Sequence, residues 1–439
     1  MTNCTKDSFE FPAHKRRIIE ASFSGGEVSS DGGLLLLRDL DRRLGLLDDV
    51  ASRLHDPRDP LRIKHPLISL LKQRVYGLAL GYEDLNDHQS LRHDTLLQTS
   101  VDRDQTLASS PTLCRLENFE HHRQSAVAIH EVMVDKFIAS FKKAPRQLIL
   151  DFDATDDPVH GQQENRFFHG YYDQYCFLPL FVFCGKQLLT AYLRPSRCDG
   201  ARHAWAVLSL LVKRLRQAWP DVHIIFRADG GFCRHQIFSW CERNRVGYCV
   251  GLPKNQILNR ISEDWLPDMA QDYRWTGNKQ RDFMTFQYAA GTWKVPRRVI
   301  ARLEYGPKGA DQRYIVTNLS GTSRHLYEKL YCQRGNMENC IKSVQLDLFS
   351  DRTSCHYFIA NQFRLLMSAL AYILLERLSA LTLAETELAD STLGTIRLKL
   401  LKIGAVVLRN TRRIKIMLSS AYPYQDLFKQ VVRRLSAAD

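Results

Sequence analysis

The sequence lacks the features that define several large classes of protein. Its 11 cysteines are scattered, no C-x-x-C occurs, and no set of cysteines and histidines has the spacing of a zinc site. We therefore expect no zinc site of this kind, and we interpret the cysteines as reduced, mostly buried side chains. The chain does not open with a charged segment, an apolar core and a cleavage site, so a soluble cytoplasmic protein is expected.

Long apolar runs are missing as well. The most apolar run extends from Leu365 to Leu375 and contains Ser368 and Tyr372. A helix that crosses a membrane needs about 20 predominantly apolar residues, so this run predicts no span. The chain also has no internal repeat and no segment of low complexity, and we expect no association with a membrane.

Basic residues are abundant. Lysine and arginine number 61 against 48 aspartate and glutamate, which gives a net charge of +13 and a pI near 9.2. Such an excess favours a polyanionic partner such as nucleic acid, although a basic but otherwise ordinary enzyme has the same composition. A chain of 439 residues with 44% hydrophobic content is expected to form two or three domains, or one large domain with an insertion.

Residues 1–145 have mainly helical patterns. The stretch 29–33, Ser-Ser-Asp-Gly-Gly, suits the start of a helix, because Ser and Asp side chains accept hydrogen bonds from the free amides of a first turn. Leucines then recur at helical spacing over 34–44, and further helical patterns lie near 65–80 and 123–142. We therefore predict a mainly α-helical N-terminal region.

The pattern changes to that of strands at Gln147. From there up to Asp153, apolar side chains alternate, so Asp151 and Asp153 face the same side of a strand. The elements predicted next are a strand, a strand, a helix, a strand, a helix and a strand, at 181–183, 188–193, 201–217, 222–226, 234–245 and 248–252. This order over residues 146–253 matches the first part of an RNase H-like core in an α/β fold.

A second change of pattern separates this core from its remaining part. Between 254 and 322 the helical signal fades, and strand-like pieces separated by Gly and Pro appear at 283–288, 297–305 and 313–318. We predict a β-rich insertion that interrupts the core.

Helical patterns return after this insertion. Residues 323–378 are predicted to complete the core, and a long amphipathic helix is expected over 354–378. Residues 379–439 form a C-terminal basic region in which C-terminal helices are expected, with a cluster that contains Arg412 and Arg413 on or near a helix.

Three acidic residues far apart in the chain stand in settings that suit metal chemistry. Asp153 ends a strand, Asp229 follows an apolar strand and precedes Gly230-Gly231, and Glu338 lies on a predicted helix among cations. Three carboxylates brought together could hold two divalent ions, and two such ions drive in-line attack on a phosphodiester. In so basic a chain, this pattern points to the cutting and joining of DNA.

Each acid also has a simpler explanation. Asp153, with Asp151, could only form the turn that leaves the strand, and Asp229 could only cap the next helix. Glu338 lies four residues from both Arg334 and Lys342, so the three could form a solvated row of weak salt bridges. The three acids together, in this order, are a much more specific signal than any one of them.

These motifs resemble those of insertion-sequence DDE transposases, in particular the insertion-sequence 1380 type, a relative of the insertion-sequence-4-like group. The resemblance spans nearly the whole chain, through Phe23-Ser24-Gly25-Gly26, Ser29-Ser30-Asp31-Gly32-Gly33, Arg115-Leu116-Glu117-Asn118, Asp151-Phe152-Asp153-Ala154-Thr155, His169-Gly170-Tyr171-Tyr172, Arg227-Ala228-Asp229-Gly230-Gly231-Phe232 and Tyr314-Ile315-Val316-Thr317-Asn318. The spacing Tyr331-x2-Arg334-x3-Glu338 matches the Tyr-Arg-Glu signature of the related group. The final Lys of that signature is Gln345 here, and Lys342 is the nearest substitute.

The resemblance implies an RNase H-like catalytic domain with a β-rich insertion before the Glu, and Mg²⁺-dependent cut-and-paste chemistry in which Mn²⁺ is expected to substitute. It implies Asp153, Asp229 and Glu338 as the catalytic, metal-binding triad. Asp153 is preferred to Asp151 because the acid of the related group stands two residues before a Thr. Asp151 is then either a further metal ligand or a partner that supports the ligands.

The resemblance also implies contacts with DNA. The side chains expected to make them are Arg334, Lys342, Tyr331, His169, Lys254, Arg412 and Arg413. Arg412 and Arg413 are candidates because of their charge, and recognition of the transposon ends is expected in the N-terminal helical region 1–145 and in this C-terminal basic cluster. The motif that contains His169 could line the DNA path, with its tyrosines stacking or binding phosphate, or it could be a well-packed β-hairpin with a polar turn. Trp293, in the predicted insertion, is a further candidate for contact with a base.

The partners implied are double-stranded DNA, in the form of the transposon's inverted-repeat ends and the target, and a second copy of the chain in a synaptic complex. Such a protein is expected in the cytoplasm, associated with the nucleoid. Two alternatives remain open from the residues alone. One is another nuclease with an RNase H-like fold that does not transpose, and the other is a domesticated DNA-binding protein without catalysis.

Overall fold

The computed structural model of the chain describes residues 8–119 and 122–437. The chain forms two compact units. The first consists of Met1–Ser52, Asp56–Leu116 and Leu374–Asp439, and the second of Arg53–His55 and Glu117–Ile373. The five segments expected from the sequence remain a prediction, but both ends of the chain belong to the same unit.

The strands are numbered in chain order. They are β1 (Ser8–His14), β2 (Arg17–Ser22), β3 (Val28–Ser29), β4 (Gln147–Ala154), β5 (Asp157–Pro158), β6 (Phe167–His169), β7 (Gln174–Phe177), β8 (Leu180–Cys184), β9 (Gln187–Tyr192), β10 (His223–Ala228), β11 (Gly247–Leu252), β12 (Gln280–Tyr288), β13 (Arg297–Gly306), β14 (Gly309–Thr317), β15 (Ala405–Arg409) and β16 (Ile414–Leu418). The strands predicted for the core and for the region after it all occur, with ends shifted by a few residues.

The α-helices are likewise numbered in chain order. They are α1 (Leu34–Leu44), α2 (Leu46–Arg53), α3 (Leu67–Leu80), α4 (His88–Leu91), α5 (Thr95–Ser100), α6 (Ser110–Glu117), α7 (His122–Ala139), α8 (Ala204–Ala218), α9 (His235–Arg243), α10 (Gln256–Glu263), α11 (Leu266–Thr276), α12 (Gly335–Lys342), α13 (Phe358–Thr382), α14 (Leu393–Ile396) and α15 (Gln425–Ala437). Helical turns that are tighter or wider than those of an α-helix precede and follow α12. Residues 325–347, which include α12, therefore form one continuous helical stretch.

A mixed sheet of eight strands lies at the centre of the second unit, in the order β12-β13-β14-β11-β10-β4-β8-β9. β4, β10 and β11 run parallel, and the other neighbours are antiparallel. The unit is therefore a mixed α/β fold. Its parallel strands are almost continuously apolar because both faces of the sheet are covered.

The two faces of the sheet bury different clusters. On one face, Phe152 and Phe226 pack with Leu208 of α8 and Phe238 of α9. On the other face, Cys249, Ile300 and Ile315 pack against the helical stretch through the side chains Leu326, Tyr327 and Leu330. Fully burying an apolar side chain of this size contributes roughly 1.5–3 kcal/mol. This second cluster holds the helical stretch against the sheet.

The predicted β-rich insertion differs from the structure in two ways. Residues 254–322 begin with the helices α10 and α11, and the strands β12, β13 and β14 continue the central sheet. β14 pairs antiparallel with β11, whose backbone groups would otherwise lie unpaired at an edge. The segment is therefore part of the sheet.

The two ends of the chain contain strands that the sequence analysis did not predict. β1 and β2 form a hairpin, and β15 pairs with both β16 and β3. The expectation that Arg412 and Arg413 lie on or near a helix is wrong, because they lie in the turn between β15 and β16. The side chain of Asn410 accepts hydrogen bonds from both backbone amides, at 3.0 and 2.8 Å, which stabilises that turn.

One helix among the described residues, α13, is long and apolar enough to cross a membrane by length and composition. However, 83% of its most apolar window is buried inside the protein, as in the core helix of a globular domain. In the part of the chain that the structure describes, four cysteines are buried, four are partly buried and two are exposed, so fewer are buried than the sequence analysis expected.

Candidate active site

The register between two parallel strands brings Asp153 and Asp229 to the same edge of the sheet. β4 and β10 pair so that Asp151 lies opposite Arg227 and Phe152 opposite Ala228. Asp153 is the next residue of β4, and Asp229 is the first residue after β10. Because parallel strands end at the same edge, the two acids leave the sheet side by side.

Asp229 marks a sharp change of direction after β10. Its Oδ1 accepts a hydrogen bond from the backbone amide of Gly231 at 2.9 Å, and the chain continues in a single helical turn over 230–232. The sequence analysis considered this capping role as the simple explanation, and the structure contains it. A carboxylate that caps a turn through one oxygen still has a second oxygen for other contacts.

Gly251 is required where the helical stretch approaches the sheet. A Cβ at this position would lie 2.6 Å from the hydroxyl of Tyr331 and 2.8 Å from the backbone nitrogen of Gly230. Any larger residue would push Tyr331 away from the turn that contains Asp229. The absence of a side chain at Gly251 therefore brings the helical stretch close to the acids.

Arg334 connects two of the three candidate acids. Its Nη1 donates to Oδ2 of Asp153 at 3.0 Å, and its Nη2 donates to Oε1 of Glu338 at 3.0 Å. The side chains of Arg334 and Asp153 are only 18% and 15% exposed, whereas that of Glu338 is 51% exposed. Glu338 therefore stands at the solvent side of the pair.

The electrostatics of the site tie Asp229 to the same group. Burial raises the pKa of Asp153 to about 6; Arg334 lowers that pKa, while Asp229 and Glu338 raise it. Burial lowers the pKa of Arg334, but the surrounding carboxylates of Asp153, Asp229 and Glu338 outweigh it and raise that pKa. All three acids thus act on one guanidinium, and Asp153 feels the negative charge of the other two.

Asp151 is held in a different way. Both of its oxygens accept hydrogen bonds from Arg227, at 2.5 and 2.7 Å, and its side chain is 3% exposed. Burial raises the pKa of Asp151, and Arg227 lowers it. Arg227 also donates to the carbonyl oxygen of Leu330 at 2.5 Å. This buried pair therefore links β4 and β10 to the residue just before Tyr331.

Gln345, which stands where the signature of the related group has a Lys, makes a structural contact. Its Nε2 donates to the carbonyl oxygen of Asp156 at 2.9 Å, between the helical stretch and the segment that follows β4. Lys342, the proposed substitute, is exposed at the last residue of α12.

The other residues predicted to bind DNA are spread over the chain. His169 ends β6, and its Nδ1 accepts from the amide of Tyr171 at 3.3 Å. Lys254 follows β11 and forms an ion pair with Asp311 at 3.1 Å. Arg412 and Arg413 are exposed in the hairpin turn of the first unit. These residues do not join the group around Arg334, and their contact with DNA stays a prediction.

Trp293 is a packing residue. Its ring lies 5.8 Å from the ring of Phe238 and 5.7 Å from that of Tyr288, both edge to face, and the guanidinium of Arg297 lies 5.3 Å from it. The partly buried indole packs on the core of the second unit. This arrangement does not favour the predicted contact with a base.

Comparison with known proteins matches residues 11–439 to the family described as transposase DDE domain group 1. The chain belongs to this family. Its membership supports a transposase function, and this family does not distinguish the insertion-sequence 1380 type predicted above. No curated protein matches the chain.

Among solved structures, a match is found with a piggyBac transposase in a synaptic complex with hairpin DNA, determined by cryo-electron microscopy. The two chains are 9% identical, with a TM-score of 0.43 over 93% of this chain and 83% of that chain. So distant a likeness does not by itself establish a shared property.

DDE transposases use divalent metal ions, and the oxygen donors around Arg334 are of the kind that Mg²⁺ prefers. Within residues 8–119 and 122–437, no three His, Cys, Asp or Glu side chains lie in an arrangement ready to hold a metal ion. The guanidinium of Arg334 lies between Asp153 and Glu338 and forms an ion pair with each of them at 3.0 Å. The donor set thus fits a hard divalent ion only if Arg334 releases at least one of the two carboxylates.

The sequence analysis selected His169 from its motif and expected the tyrosines to stack or to bind phosphate, without distinguishing Tyr171 from Tyr172. Burial raises the pKa of Tyr172 to about 12, and the charges of Asp156 and Asp153 add to the effect. Tyr172 is therefore the residue of this motif that lies near a candidate catalytic acid. The signal in the sequence was present, since two adjacent tyrosines follow His169 and Gly170, but the pattern did not say which of them turns inward.

Proposed function

We propose that this DDE family member cuts transposon ends and joins them to target DNA, with Asp153, Asp229 and Glu338 as the carboxylates that hold a divalent metal ion. One observation carries the proposal. Arg334 makes hydrogen bonds of 3.0 Å to both Asp153 and Glu338, residues from distant parts of the chain, and its pKa is raised by Asp229 as well. A salt bridge with a purely structural role would not require Asp229, a third acid, at the end of the neighbouring strand.

The strand order supports an RNase H-like core as part of this proposal. In chain order, the first five long strands of the second unit are β4, β8, β9, β10 and β11, and they lie in the spatial order β9-β8-β4-β10-β11. β8 is antiparallel to both of its neighbours, while β4, β10 and β11 are parallel. In such a core the two aspartates stand on the central neighbouring strands, where the rigid sheet fixes their separation.

Each side chain then has a definite task. Bound Mg²⁺, or Mn²⁺ in its place, would activate water and stabilise the leaving oxygen of the phosphodiester. Asp153 and Asp229 hold their positions through the register of β4 and β10, and the exposed Glu338 completes the set from α12. Arg334, once released from an acid, donates its planar pair of N–H groups to a phosphate. Asp151 supports this arrangement through Arg227, and we assign it that role in preference to a metal ligand.

The proposed reaction has two stages. In the first stage, hydrolysis at a transposon end frees a 3′-OH. In the second stage, this 3′-OH attacks a phosphodiester of the target DNA held at the same carboxylate site, so no covalent link between protein and DNA forms. Tyr331 and Lys342, on the same helical stretch as Arg334, are the nearest further candidates for phosphate contact. Because two ends must be held together, the complex with DNA is proposed to contain two copies of the chain.

Cleavage of DNA that carries the element's ends tests this proposal. Asp229→Asn and Glu338→Gln are expected to fold and bind the DNA but to lose cleavage with Mg²⁺ or Mn²⁺. Glu263→Gln, an exposed acid at the end of α10, is the matched control and should cleave normally. Robust cleavage by Asp229→Asn would overturn the assignment.

The same assay separates the alternatives. Cleavage by the unaltered chain without preference for inverted-repeat ends would indicate a nuclease that does not transpose. Salt-dependent binding of end DNA without any nicking would indicate a domesticated DNA-binding protein. Light scattering on the complex with end DNA measures the number of copies, and two copies are expected.

A further inference from the structure

The hairpin formed by β6 and β7 exposes an unusual number of aromatic rings. Phe168 lies opposite Tyr175, and the two strands are joined by a short turn over 170–173. Phe168 is 53% exposed, Tyr171 is 86% exposed and Tyr175 is 47% exposed. Large aromatic side chains exposed together on a small element mark a surface that contacts a partner.

The rings of this hairpin support one another. The ring centres of Tyr171 and Tyr172 are 5.0 Å apart, and those of Phe168 and Tyr175 are 5.7 Å apart, both edge to face. The ring of Tyr172 also lies 4.9 Å from the imidazole of His169. Tyr172 is thus held on two sides, so the exposed ring of Tyr171 stands on a fixed support.

The hairpin is fixed to the segment that follows Asp153. β5 pairs with β7, and the side chain of Gln174 donates to Oδ2 of Asp156 at 2.6 Å. The charge of Asp153 contributes to the raised pKa of Tyr172. The hairpin is therefore joined, through β5 and Asp156, to the segment that follows Asp153.

The charges on the hairpin indicate what kind of group it binds. Asp156 lies near Tyr172, and Asp173 is exposed in the turn, so phosphate would meet negative charge at the tip. The guanidinium of Arg166 is 4.6 Å from the centre of the Tyr175 ring, on the other end of the hairpin. A flat, uncharged ligand therefore suits the tip of the hairpin, and the guanidinium of Arg166, already stacked on Tyr175, extends the aromatic surface.

We propose that Tyr171, supported by Tyr172 and flanked by Phe168 and Tyr175, stacks on an unpaired nucleobase next to the phosphodiester that the carboxylates cut. The proposal rests on the function proposed above and names a feature of its substrate. A base in a duplex has both faces covered by its neighbours, so a single protruding ring can reach only a base that has left the stack. Aromatic side chains bind such bases with little regard to sequence, because every base has a π-face.

A coupling experiment between Tyr171 and single bases tests this inference. End DNA is prepared with one abasic site at a time on either side of the cut position, and affinity is measured at fixed salt without divalent ions. Removing the stacked base should weaken binding by the unaltered chain about 5- to 150-fold at one position only. Tyr171→Ala should bind unmodified DNA more weakly by a similar factor and show no further loss at that abasic position, whereas Tyr171→Phe should behave like the unaltered chain.

The matched control is Trp275→Ala, which removes a ring that is 77% exposed on α11, and it should leave the abasic profile unchanged. The inference is overturned if Tyr171→Ala binds as tightly as the unaltered chain, or if its loss is equal on every abasic substrate. If the unaltered chain cuts end DNA normally but shows no coupling between Tyr171 and an abasic position, the proposed function stands and only the stacking inference fails. If the unaltered chain neither binds nor cuts end DNA, both the proposed function and the stacking inference fail.

Discussion

The guanidinium of Arg334 lies 3.0 Å from the carboxylate of Asp153, although the two residues are 181 positions apart in the chain. The same side chain reaches Glu338 at 3.0 Å. A single positive charge therefore stands between two acids that we propose as ligands of a doubly charged ion. On this proposal, Arg334 and the metal ion compete for the same carboxylate oxygens, and such competition has measurable consequences.

Replacing Arg334 by Gln should strengthen metal binding. The variant leaves the acids without their internal cation, so the apparent affinity for Mn²⁺ is expected to rise about tenfold, which corresponds to 1.4 kcal/mol. Titration followed by the paramagnetic signal of free Mn²⁺, at pH 8 to keep Asp153 ionised, measures it. Arg334→Lys keeps the charge and Lys342→Gln removes a neighbouring one, and neither should show the full gain. Weaker Mn²⁺ binding by Arg334→Gln would mean that the arginine organises the acids for the metal.

Metal binding should also depend on pH near 6. Burial raises the pKa of Asp153 to about 6, and a carboxylate must lose its proton before it can bind a metal ion. Affinity for Mn²⁺ is therefore expected to fall as the pH drops from 7 to 5, well above the usual range of an aspartate. Without metal, the same raised pKa makes the folded state lose stability as pH rises from about 4 to about 6, since the folded state holds the proton more tightly. A Mn²⁺ affinity that stays constant down to pH 5 would contradict this prediction.

Asp157 predicts a stabilising substitution. Asp157 is 1% exposed, and burial together with the charge of Asp351 raises the pKa of its carboxyl well above the usual value, although Thr353 and Arg364 lower it. Asp157→Asn should raise the free energy of unfolding by about 1–3 kcal/mol at pH 8. The gain should shrink towards pH 4, because the folded state of the unaltered chain then holds the proton and the unfolded state, with a pKa of about 3.9, begins to bind it as well. Urea denaturation across this pH range checks it, with the exposed Asp264→Asn as control, and a less stable Asp157→Asn at pH 8 would refute it.

Asp151 should matter for stability and not for metal affinity. Asp151→Ala would leave the guanidinium of Arg227 buried without its partner, and the loss of a buried pair's partner costs about 3–5 kcal/mol. Asp151→Leu combined with Arg227→Met should recover part of this loss, because no charge then remains buried. Denaturation of the single and double variants gives the stability, and Mn²⁺ titration of the folded protein tests the ligand role. A large drop in Mn²⁺ affinity for a folded Asp151→Asn would make Asp151 a ligand.

The turn between β15 and β16 gives a prediction about DNA binding. If Arg412 and Arg413 contact phosphates, replacing both by Gln should reduce the slope of log affinity against log salt by about 1.8, since each phosphate contact contributes about 0.9. Affinity should fall by a similar factor on specific and unrelated duplexes. The exposed pair Lys142 and Lys143 provides the control double substitution. An unchanged slope would remove Arg412 and Arg413 from the interface.

Much of the second unit could be predicted because its strands and helices have clear apolar patterns. The run that ends at Asp153 and the run that leads to Asp229 are short, apolar and followed by turn residues, and both form the expected strands. The spacing of Arg334 and Glu338 predicted a shared helix face, and the contact between them is confirmed. The local sequence pattern was sufficient wherever the burial of side chains followed the periodicity of a single helix or strand.

Contacts between distant segments could not be predicted in this way. Arg227 interrupts an apolar strand, and nothing in its neighbourhood indicates that Asp151 lies opposite to it. The helices α10 and α11 were missed because they are short, with 8 and 11 residues, and bury few side chains, chiefly Leu258, Met269 and Ala270. The hairpin around Asn410 was missed because the basic cluster obscured the alternation of its strands.

The pairing of β14 with β11 has a consequence for attempts to simplify the protein. Excising 254–322 as though it were a removable module would strip β11 of its neighbour and bare a row of amides and carbonyls beside the turn that holds Asp229. Unpaired backbone groups at a strand edge pair with strands of other molecules, so the shortened chain is expected to aggregate before its activity can be measured. Minimal versions of this protein must therefore retain the whole eight-stranded sheet.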